Sequence, residues 1–217
     1  KGRLKEDESS IPQKDGDYLY WRKFEKGAQY KQWMRKKATG GPDEVILDEA
    51  KLAAGKEYFR LGGIAVAEND RIMAYATDTD GSERFTIRFH DLSTGKDLPD
   101  TISGTNGGFT FSKDSKHLLY TPVNEQWRNE KVMIHTLGSG VEADKTLFYE
   151  KDIGFQVGVG MTHSEKYLIL ATGDNVTSEL YLLPADDPFA KPVLVRARKA
   201  GVEYDVEEHD GTLFIHT

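Results

Sequence analysis

The residue patterns that most often mark a nucleophile or a phosphate site are incomplete in this sequence. A serine nucleophile elbow needs the spacing Gly-x-Ser-x-Gly, because its sharp turn tolerates no side chain beside the serine. Ser139, in Leu137-Gly-Ser-Gly-Val141, comes nearest, but the spacing is wrong. Gly158-Val-Gly160 lacks the third glycine and the following helix of a dinucleotide site. We therefore predict a loop at Ser139 and assign no catalytic residue to this chain.

The acidic residues and the histidines are the possible metal ligands. Asp78-Thr-Asp80-Gly-Ser-Glu83 is half the length of an EF-hand loop, which needs about 12 residues between two helices. Asp80-Gly81 is typical of a hairpin turn, so we predict a turn rather than a calcium site. The histidines show neither His-x-His nor His-Glu-x-x-His spacing, and we predict no metal and no other cofactor. They are His90, His117, His135, His163, His209 and His216.

A glycosylation sequon and the many aromatic residues each have a structural and a functional interpretation. Asn175-Val-Thr177 fits the glycosylation sequon, which matters only in a secreted protein. Trp21, Trp33 and Trp127, with ten Tyr and ten Phe, could form a carbohydrate-binding platform. Aromatic residues at period two inside strands favour packing between sheets instead. The residues that would bind a ligand therefore stay unknown from sequence.

Composition narrows the class of protein. The 217 residues include no cysteine, which excludes disulfides, iron–sulfur sites and a thiol nucleophile. The net charge of −7 disfavours nucleic acid as a partner, because phosphates need a basic surface. No apolar run approaches the roughly 20 residues that cross a bilayer, so no membrane partner is expected. The start has no signal-peptide pattern, and we expect a cytoplasmic protein of which this charged opening is an internal part.

The elements that position these residues are predicted to be strands. Phe85, Ile87 and Phe89 alternate with polar residues, as expected for one buried face. Leu180 and Leu182 alternate with other apolar residues, which predicts a strand buried on both faces. One or two helical turns are expected only within residues 48–58, ending at Gly55. The sequence therefore predicts an all-β chain.

A unit of four short strands recurs along the chain. A polar turn runs into an apolar strand at residues 69–75, 114–120, 164–170 and 209–215, about 45 to 50 residues apart, and residues 16–20 form an earlier copy. Such a period is typical of β-propeller blades. We predict a lead-in at 1–15, blades at about 16–59, 60–105, 106–152 and 153–200, and the first hairpin of a fifth blade at 201–217. A sandwich or an irregular β-solenoid remains the alternative fold.

The first quarter of the sequence adds a more specific pattern. Arg3-Leu-Lys-Glu-Asp-Glu-Ser-Ser-Ile-Pro12 and Gly16-Asp-Tyr-Leu-Tyr-Trp-Arg22 resemble the start of the propeller in prolyl-oligopeptidase-family serine peptidases. The stretches at 43–48, 52–62, 80–88, 91–95, 135–138, 148–152, 177–179, 195–198 and 201–204 are similar to the oligopeptidase B (protease II) branch. One departure is Trp127-Arg-Asn129, where that family often has Arg-Pro.

The resemblance implies a seven-bladed propeller of which this chain holds about four blades and part of a fifth. It also implies an α/β-hydrolase domain, outside the chain, whose Ser-Asp-His triad cleaves short peptides after Arg or Lys while the propeller limits access. The segment alone should then be inactive. The inner strands, expected at residues 64–67, 109–112, 157–160 and 202–206, would line a channel, with the small Ala65, Gly158 and Gly160 letting blades converge.

Two expectations follow from this assignment, and one alternative to it remains. The acidic balance should steer cationic peptides toward the channel. The terminal blades of an open propeller expose faces and edges, so the isolated segment should self-associate. The alternative function is a stand-alone propeller that binds a protein or a carbohydrate without catalysis.

Overall fold

The computed structural model describes residues 9–217 and confirms an all-β chain. Residues 1–8, which carry the beginning of the lead-in and of the family resemblance, lie outside the described residues. The elements in chain order are β1 (Gln13–Asp15), β2 (Tyr18–Lys23), β3 (Gln32–Lys37), β4 (Glu44–Asp48), α1 (Glu49–Ala53), β5 (Arg60–Val66), β6 (Ile72–Asp78), β7 (Phe85–Asp91), β8 (Lys96–Phe111), β9 (His117–Pro122), β10 (Lys131–Thr136), a 3-10 helix (Val141–Ala143), β11 (Lys145–Tyr149), β12 (Gln156–Met161), β13 (Tyr167–Gly173), β14 (Ser178–Pro184), β15 (Val193–Arg196), β16 (Asp205–His209) and β17 (Thr212–His216).

The chain forms two compact units. One contains the described residues up to Leu61 together with Thr79–Gly81, and the other contains Gly62–Asp78 and Ser82–Thr217. In the first unit, β1 to β4 form an antiparallel sheet in chain order. Its helix α1 begins after Asp48, whose carboxylate accepts a hydrogen bond from the Lys51 amide at 3.2 Å, and it ends before Gly55, as predicted. Neither helical segment of residues 9–217 has the length and apolar composition needed to cross a bilayer.

The second unit contains three antiparallel sheets, and the largest joins two of the expected four-strand units. Strands β5 to β11 form one seven-stranded sheet, β12 to β15 a four-stranded sheet, and β16 pairs with β17. The junction is β8, which pairs with β7 through its first half and with β9 through its second. The sequence predicts two separate strands here. Gly104 and Gly107 adopt φ of 70° and 85°, so the chain bends at these glycines while it stays within one strand.

The core of the second unit follows the predicted alternation. Phe85, Ile87 and Phe89 are at most 5% exposed and pack in one apolar cluster with residues of β6, β8 and β9. On β14, Leu180, Leu182 and Leu183 are all buried, which confirms a strand covered on both faces. Period-two patterning therefore located the buried faces correctly.

Four turns of the second unit that lead into a strand share a polar composition, and three of them share a local conformation. The turns before β6, β9 and β13 each contain one residue with positive φ: Asp70 (54°), Ser115 (58°) and Glu165 (57°). The turn before β17 contains two, Asp210 (49°) and Gly211 (79°), so its geometry differs. The recurring turn-to-strand unit predicted from the sequence is confirmed.

The fourth predicted inner strand, residues 202–206, is wrong at its start, since β16 begins at Asp205. The Val202 carbonyl instead accepts a hydrogen bond from the Ser178 amide at 3.1 Å, and the Tyr204 amide donates to Ser178 Oγ at 2.7 Å. The Tyr204 side chain is buried and its hydroxyl donates to the Arg196 carbonyl at 2.6 Å. These bonds attach residues 202–204 to β14 and β15 before the new hairpin begins.

Candidate functional site

The residues nearest to a catalytic or metal pattern have structural partners. Ser139 lies in the loop after β10, and its Oγ donates to the Thr136 carbonyl at 2.7 Å. The acidic run forms the hairpin between β6 and β7, where the Glu83 amide donates to Asp78 Oδ2 at 2.8 Å. The predictions of a loop and a turn are confirmed. Across residues 9–217, no group of three or more His, Asp and Glu side chains is arranged to hold a metal ion.

The histidines are distributed over several parts of the sheets. The backbone amide of His163 donates a hydrogen bond to the Glu207 side chain, and His216 lies in β17. Three others contact one aspartate each: His90 with Asp97 (2.7 Å), His117 with Asp114 (2.7 Å) and the exposed His209 with Asp210 (3.5 Å). These pairs lie within one hairpin or turn, as ordinary strand and turn residues would.

His135 differs, because it is fully buried between two carboxylates. Its Nδ1 lies 2.8 Å from Asp144 Oδ1 and its Nε2 lies 3.1 Å from Asp100 Oδ1. The Tyr120 hydroxyl donates to the other Asp144 oxygen at 2.8 Å. Burial is the main cause that raises the pKa of Tyr120, and this hydrogen bond is the second cause. The ring of His135 also stacks on Phe89, with centroids 5.8 Å apart.

The His135 cluster joins β8, β9, β10 and the residue after the 3-10 helix. His135 and both carboxylates are at most 3% exposed, so no substrate can reach the ring. Removing one partner of such a buried group leaves an uncompensated charge, which is strongly destabilising. The cluster connects three strands through buried contacts, and we assign it a structural role. Sequence reasoning missed it, because Asp100 lies 35 residues from His135 and no local motif connects them.

A second ionic cluster forms around Arg198, after β15. Its Nη2 donates to Glu150 Oε2 at 2.5 Å and to Glu179 Oε1 at 3.2 Å, and Thr172 Oγ1 also donates to Glu150 at 2.7 Å. Burial alone would raise the pKa of both glutamates. At Glu150, hydrogen bonds from Thr172, the Asp152 amide and Arg198 outweigh burial, so its pKa lies below its ordinary value. At Glu179, the Arg198 amide, the Tyr181 hydroxyl and the Arg198 side chain have the same effect.

The Arg198 cluster connects residues from three positions along the chain. Glu150 follows β11, Glu179 belongs to β14, and Arg198 stacks on Phe155 with its guanidinium carbon 4.2 Å from the ring centroid. The cluster thus fixes the segment between β11 and β12 against the sheet that follows it.

Two pairs of glycines, one in β12 and one in β5, have different surroundings. A Cβ added at Gly158 or Gly160 in β12 would have no neighbour within 4 Å in the described chain, so the described sheets do not require glycine at either position. Gly62 and Gly63 in β5 are closely approached by neighbouring residues. An added Cβ would lie 2.6 Å from the Phe85 ring at Gly62 and 2.6 Å from the Gly107 carbonyl oxygen at Gly63.

Hydrogen bonds connect the turn before β6 with the turn before β9, and the turn before β13 with β16. The Asn69 amide donates to Ser115 Oγ at 3.0 Å, and the His163 amide donates to Glu207 Oε2 at 2.9 Å. Lys113 bridges the middle pair, with its amide 2.8 Å from the Ala185 carbonyl and its Nζ 3.8 Å from Glu165. These contacts hold neighbouring strand pairs at fixed spacing, which suits a scaffold rather than a catalytic centre.

The tryptophans and the sequon have separate surroundings. In the first unit, the Trp33 indole donates to Glu49 Oε1 at 2.9 Å, and Lys36 lies 5.7 Å from the Trp21 ring centroid. In the second unit, Trp127 is 51% exposed in the loop between β9 and β10, and Asn175 is exposed between β13 and β14. Trp21 and Trp33 lie on neighbouring strands of the sheet in the first unit, whereas Trp127 lies in a loop of the second.

Comparison with known proteins connects this scaffold to one peptidase family. The family profile described as prolyl oligopeptidase, N-terminal beta-propeller domain, matches residues 1–217. The chain is 31% identical to dipeptidyl aminopeptidase BI of Pseudoxanthomonas mexicana over 94% of its length, and 30% identical to protease 2 of Moraxella lacunata over 99%. It spans 31% and 32% of the length of these two relatives.

Solved structures give the same result. Oligopeptidase B from Leishmania major superposes with a TM-score of 0.90 at 29% identity, over 98% of this chain and 31% of that one. These relatives include serine peptidases, and this chain matches a part of them that does not include the catalytic domain. On the family profile, the two relatives and the superposition together, this all-β chain belongs to the prolyl oligopeptidase family, as its N-terminal β-propeller domain.

Proposed function

We propose that the chain is the part of a serine oligopeptidase that limits access of short peptides to a Ser-Asp-His site in a separate hydrolase domain. The observation that carries the proposal is the match over 98% of this chain to 31% of an oligopeptidase B chain. The remaining two thirds of such a protein is long enough to hold a complete catalytic domain. Ser139, bonded to a backbone carbonyl, supports the assignment of catalysis to that other part.

The arrangement of strands supports a blade count for the domain. Sheet β1–β4, the two halves of β5–β11 that share β8, and sheet β12–β15 correspond to four blades, and β16–β17 begins a fifth. We infer that the longer protein completes a ring of seven blades around a channel. A narrow channel admits short peptides and excludes folded proteins, which is the physical basis of the access role.

Cleavage after Arg or Lys is the specificity we propose. It rests on the resemblance to the oligopeptidase B branch and on the net charge of −7, which favours cationic peptides near the protein. The attraction is long-ranged only at low salt, because the screening length is about 10 Å at 0.1 M ionic strength. Salt dependence therefore separates steering from contacts inside the site.

The test uses the full-length protein with three substrates: an arginyl chromogenic peptide, the same peptide with Glu in place of Arg, and a folded protein rich in Arg. We expect hydrolysis of the arginyl peptide alone, with kcat/KM falling by about threefold or more as ionic strength rises. Residues 1–217 alone should give no turnover. Cleavage of the folded protein would contradict the access role, and an absence of hydrolysis would favour a binding propeller without catalysis.

A further inference from the structure

Asn106 and Gly107 lie in the middle of β8, where its pairing with β9 is irregular between Thr105 and Phe109. They form the only Asn-Gly pair in the 217 residues. The main-chain nitrogen of the residue after an asparagine can attack the asparagine carboxamide, and glycine has no side chain that blocks this approach. Whether the reaction occurs in a folded protein depends on how the carboxamide and that nitrogen are held.

The fold places the Asn106 carboxamide alongside the residues that follow it. The Gly108 amide donates to Asn106 Oδ1 at 2.8 Å. A Cβ added at Gly108 would lie 3.2 Å from Oδ1 and 3.9 Å from Cγ of Asn106. Because the side chain reaches back to the second residue after it, the carboxamide is folded toward the intervening Gly107, whose main-chain nitrogen is the nucleophile of the reaction.

Two hydrogen-bond donors converge on Oδ1 of Asn106. Besides the Gly108 amide, the hydroxyl of the fully buried Thr121 in β9 donates to this oxygen at 2.5 Å. When a nitrogen adds to Cγ, negative charge develops on Oδ1, and donors that are already in place stabilise that charge. The arrangement is that of an oxyanion hole around an asparagine side chain.

The Gly107 amide is held by a long hydrogen bond. It donates to Thr105 Oγ1 at 3.2 Å, which is at the upper end of the range for an N–H donor to oxygen. The Thr105 hydroxyl itself donates to the Phe85 carbonyl at 3.1 Å, so its oxygen faces Gly107 as an acceptor. Gly108 is exposed, and water therefore reaches this part of the strand.

Asn124, in the loop after β9, provides a comparison within the same molecule. Its Oδ1 accepts a hydrogen bond from the Gln126 amide at 2.9 Å, so its side chain is also folded back to the second residue after it. The residue between them is Glu125, whose side chain stands beside the nitrogen that would attack. Asn124 therefore shares the turn but lacks the accessible nucleophile.

We propose that Asn106 is a site of spontaneous deamidation and that the fold promotes the reaction. The Gly107 nitrogen attacks Asn106 Cγ, so that a bond from this nitrogen to Cγ forms while the bond from Cγ to Nδ2 breaks. The proton of the Gly107 amide passes through solvent to the leaving nitrogen, which departs as ammonia and leaves a succinimide ring. Water then adds to either carbonyl of the ring and gives aspartate or isoaspartate. Water is the only other reactant.

Isoaspartate at position 106 changes the sheet where two of the four-strand units meet. The main chain then runs through the former side-chain carboxyl and is longer by one carbon atom. The extra atom lies between two pairs that connect β8 with β9, Thr105 with Pro122 and Phe109 with Tyr120. The reaction therefore weakens the junction between the two halves of the seven-stranded sheet as the protein ages.

The test compares the full-length protein with a synthetic peptide of residues 103–110 in the same buffer at pH 8. Deamidation raises the mass by about 1 Da, and peptide mapping by mass spectrometry locates the change. We expect Asn106 to react about threefold to tenfold faster in the folded protein than in the peptide, and Asn124 to stay unchanged. An equal or slower rate in the folded protein would overturn the proposal, because a strand that merely contains an Asn-Gly pair holds it rigid.

A variant of Thr121 tests the donor. Thr121→Val removes the hydroxyl and keeps the shape of the side chain, so deamidation at Asn106 should slow by about threefold to tenfold. Thr110→Val is the matched control on β8, since the Thr110 hydroxyl bonds to the Phe111 carbonyl, and it should leave the rate unchanged. Equal rates in both variants would contradict the role of Thr121. Circular dichroism verifies that each variant folds, and the comparison with the peptide decides the proposal if Thr121→Val does not.

Discussion

Two glycines, Gly63 in β5 and Gly158 in β12, differ in whether the packing around them leaves room for a side chain. Gly63 has the Gly107 carbonyl oxygen 2.6 Å from the position of a Cβ, whereas Gly158 has nothing within 4 Å. Backbone cannot move aside as a flexible side chain can, so Gly63→Ala should destabilise the domain by about 1–3 kcal/mol. The free energy of unfolding, measured by chemical denaturation, checks the value.

The matched control is Gly158→Ala. The backbone of Gly158 is not left-handed and a Cβ would enter open space, so this variant should be neutral or more stable by about 0.4–1 kcal/mol. Equal destabilisation by both substitutions would show that strand propensity, rather than the close approach at Gly63, decides the outcome.

At the scale of elements, the Arg198 cluster predicts how the domain responds to acid. The pKa values of Glu150 and Glu179 lie below their ordinary value of 4.5 in the folded state. The unfolded chain therefore binds protons more tightly, and the stabilisation is fully present above pH 4.5 and is lost as pH falls toward the folded pKa values. We expect the Tm of the full-length protein to be level from pH 8 to about 5 and to fall steeply below pH 4.5.

One variant and its control test whether the Arg198 cluster causes the loss of Tm in acid. Glu150→Gln should lower the Tm at neutral pH and flatten its decline in acid, because one depressed carboxyl has been removed. Glu57→Gln, at an exposed position between α1 and β5, should keep the wild-type profile. An unchanged acid profile in Glu150→Gln would assign the effect to other carboxylates such as Asp91, whose pKa is lowered by Arg71 and Ser93.

The sequence predicts individual strands and hairpins, but it does not predict which strands pair or which distant side chains meet. Alternation and turn residues act over a few positions, so the strands around Phe85–Phe89 and the hairpins at Asp70 and Ser115 were predictable. The continuity of β8 depends on pairing with two different partners, which no local pattern shows. The His135 cluster and the contact of Arg84 with the Trp127 ring join residues 35 and 43 positions apart, and only the folded chain brings them together.

At the scale of the whole molecule, the exposed surface of β17 predicts association of residues 1–217 when they are produced alone. Leu213, Phe214 and Ile215 are 44%, 56% and 45% exposed, and among the described residues β17 pairs only with β16. A strand with a free edge and apolar side chains pairs readily with another chain. We expect light scattering to show an average mass above that of one chain, rising with concentration.

The substitution Phe214→Lys tests whether β17 is the cause. A charge on an edge strand opposes pairing between molecules, so this variant should shift the mass distribution toward the single chain. Val45→Lys, at a residue of β4 in the first unit that is 49% exposed, measures how far any added charge reduces association. A wild-type chain that stays monomeric at every concentration would contradict the prediction, and equal effects of the two lysines would place the contact elsewhere than β17.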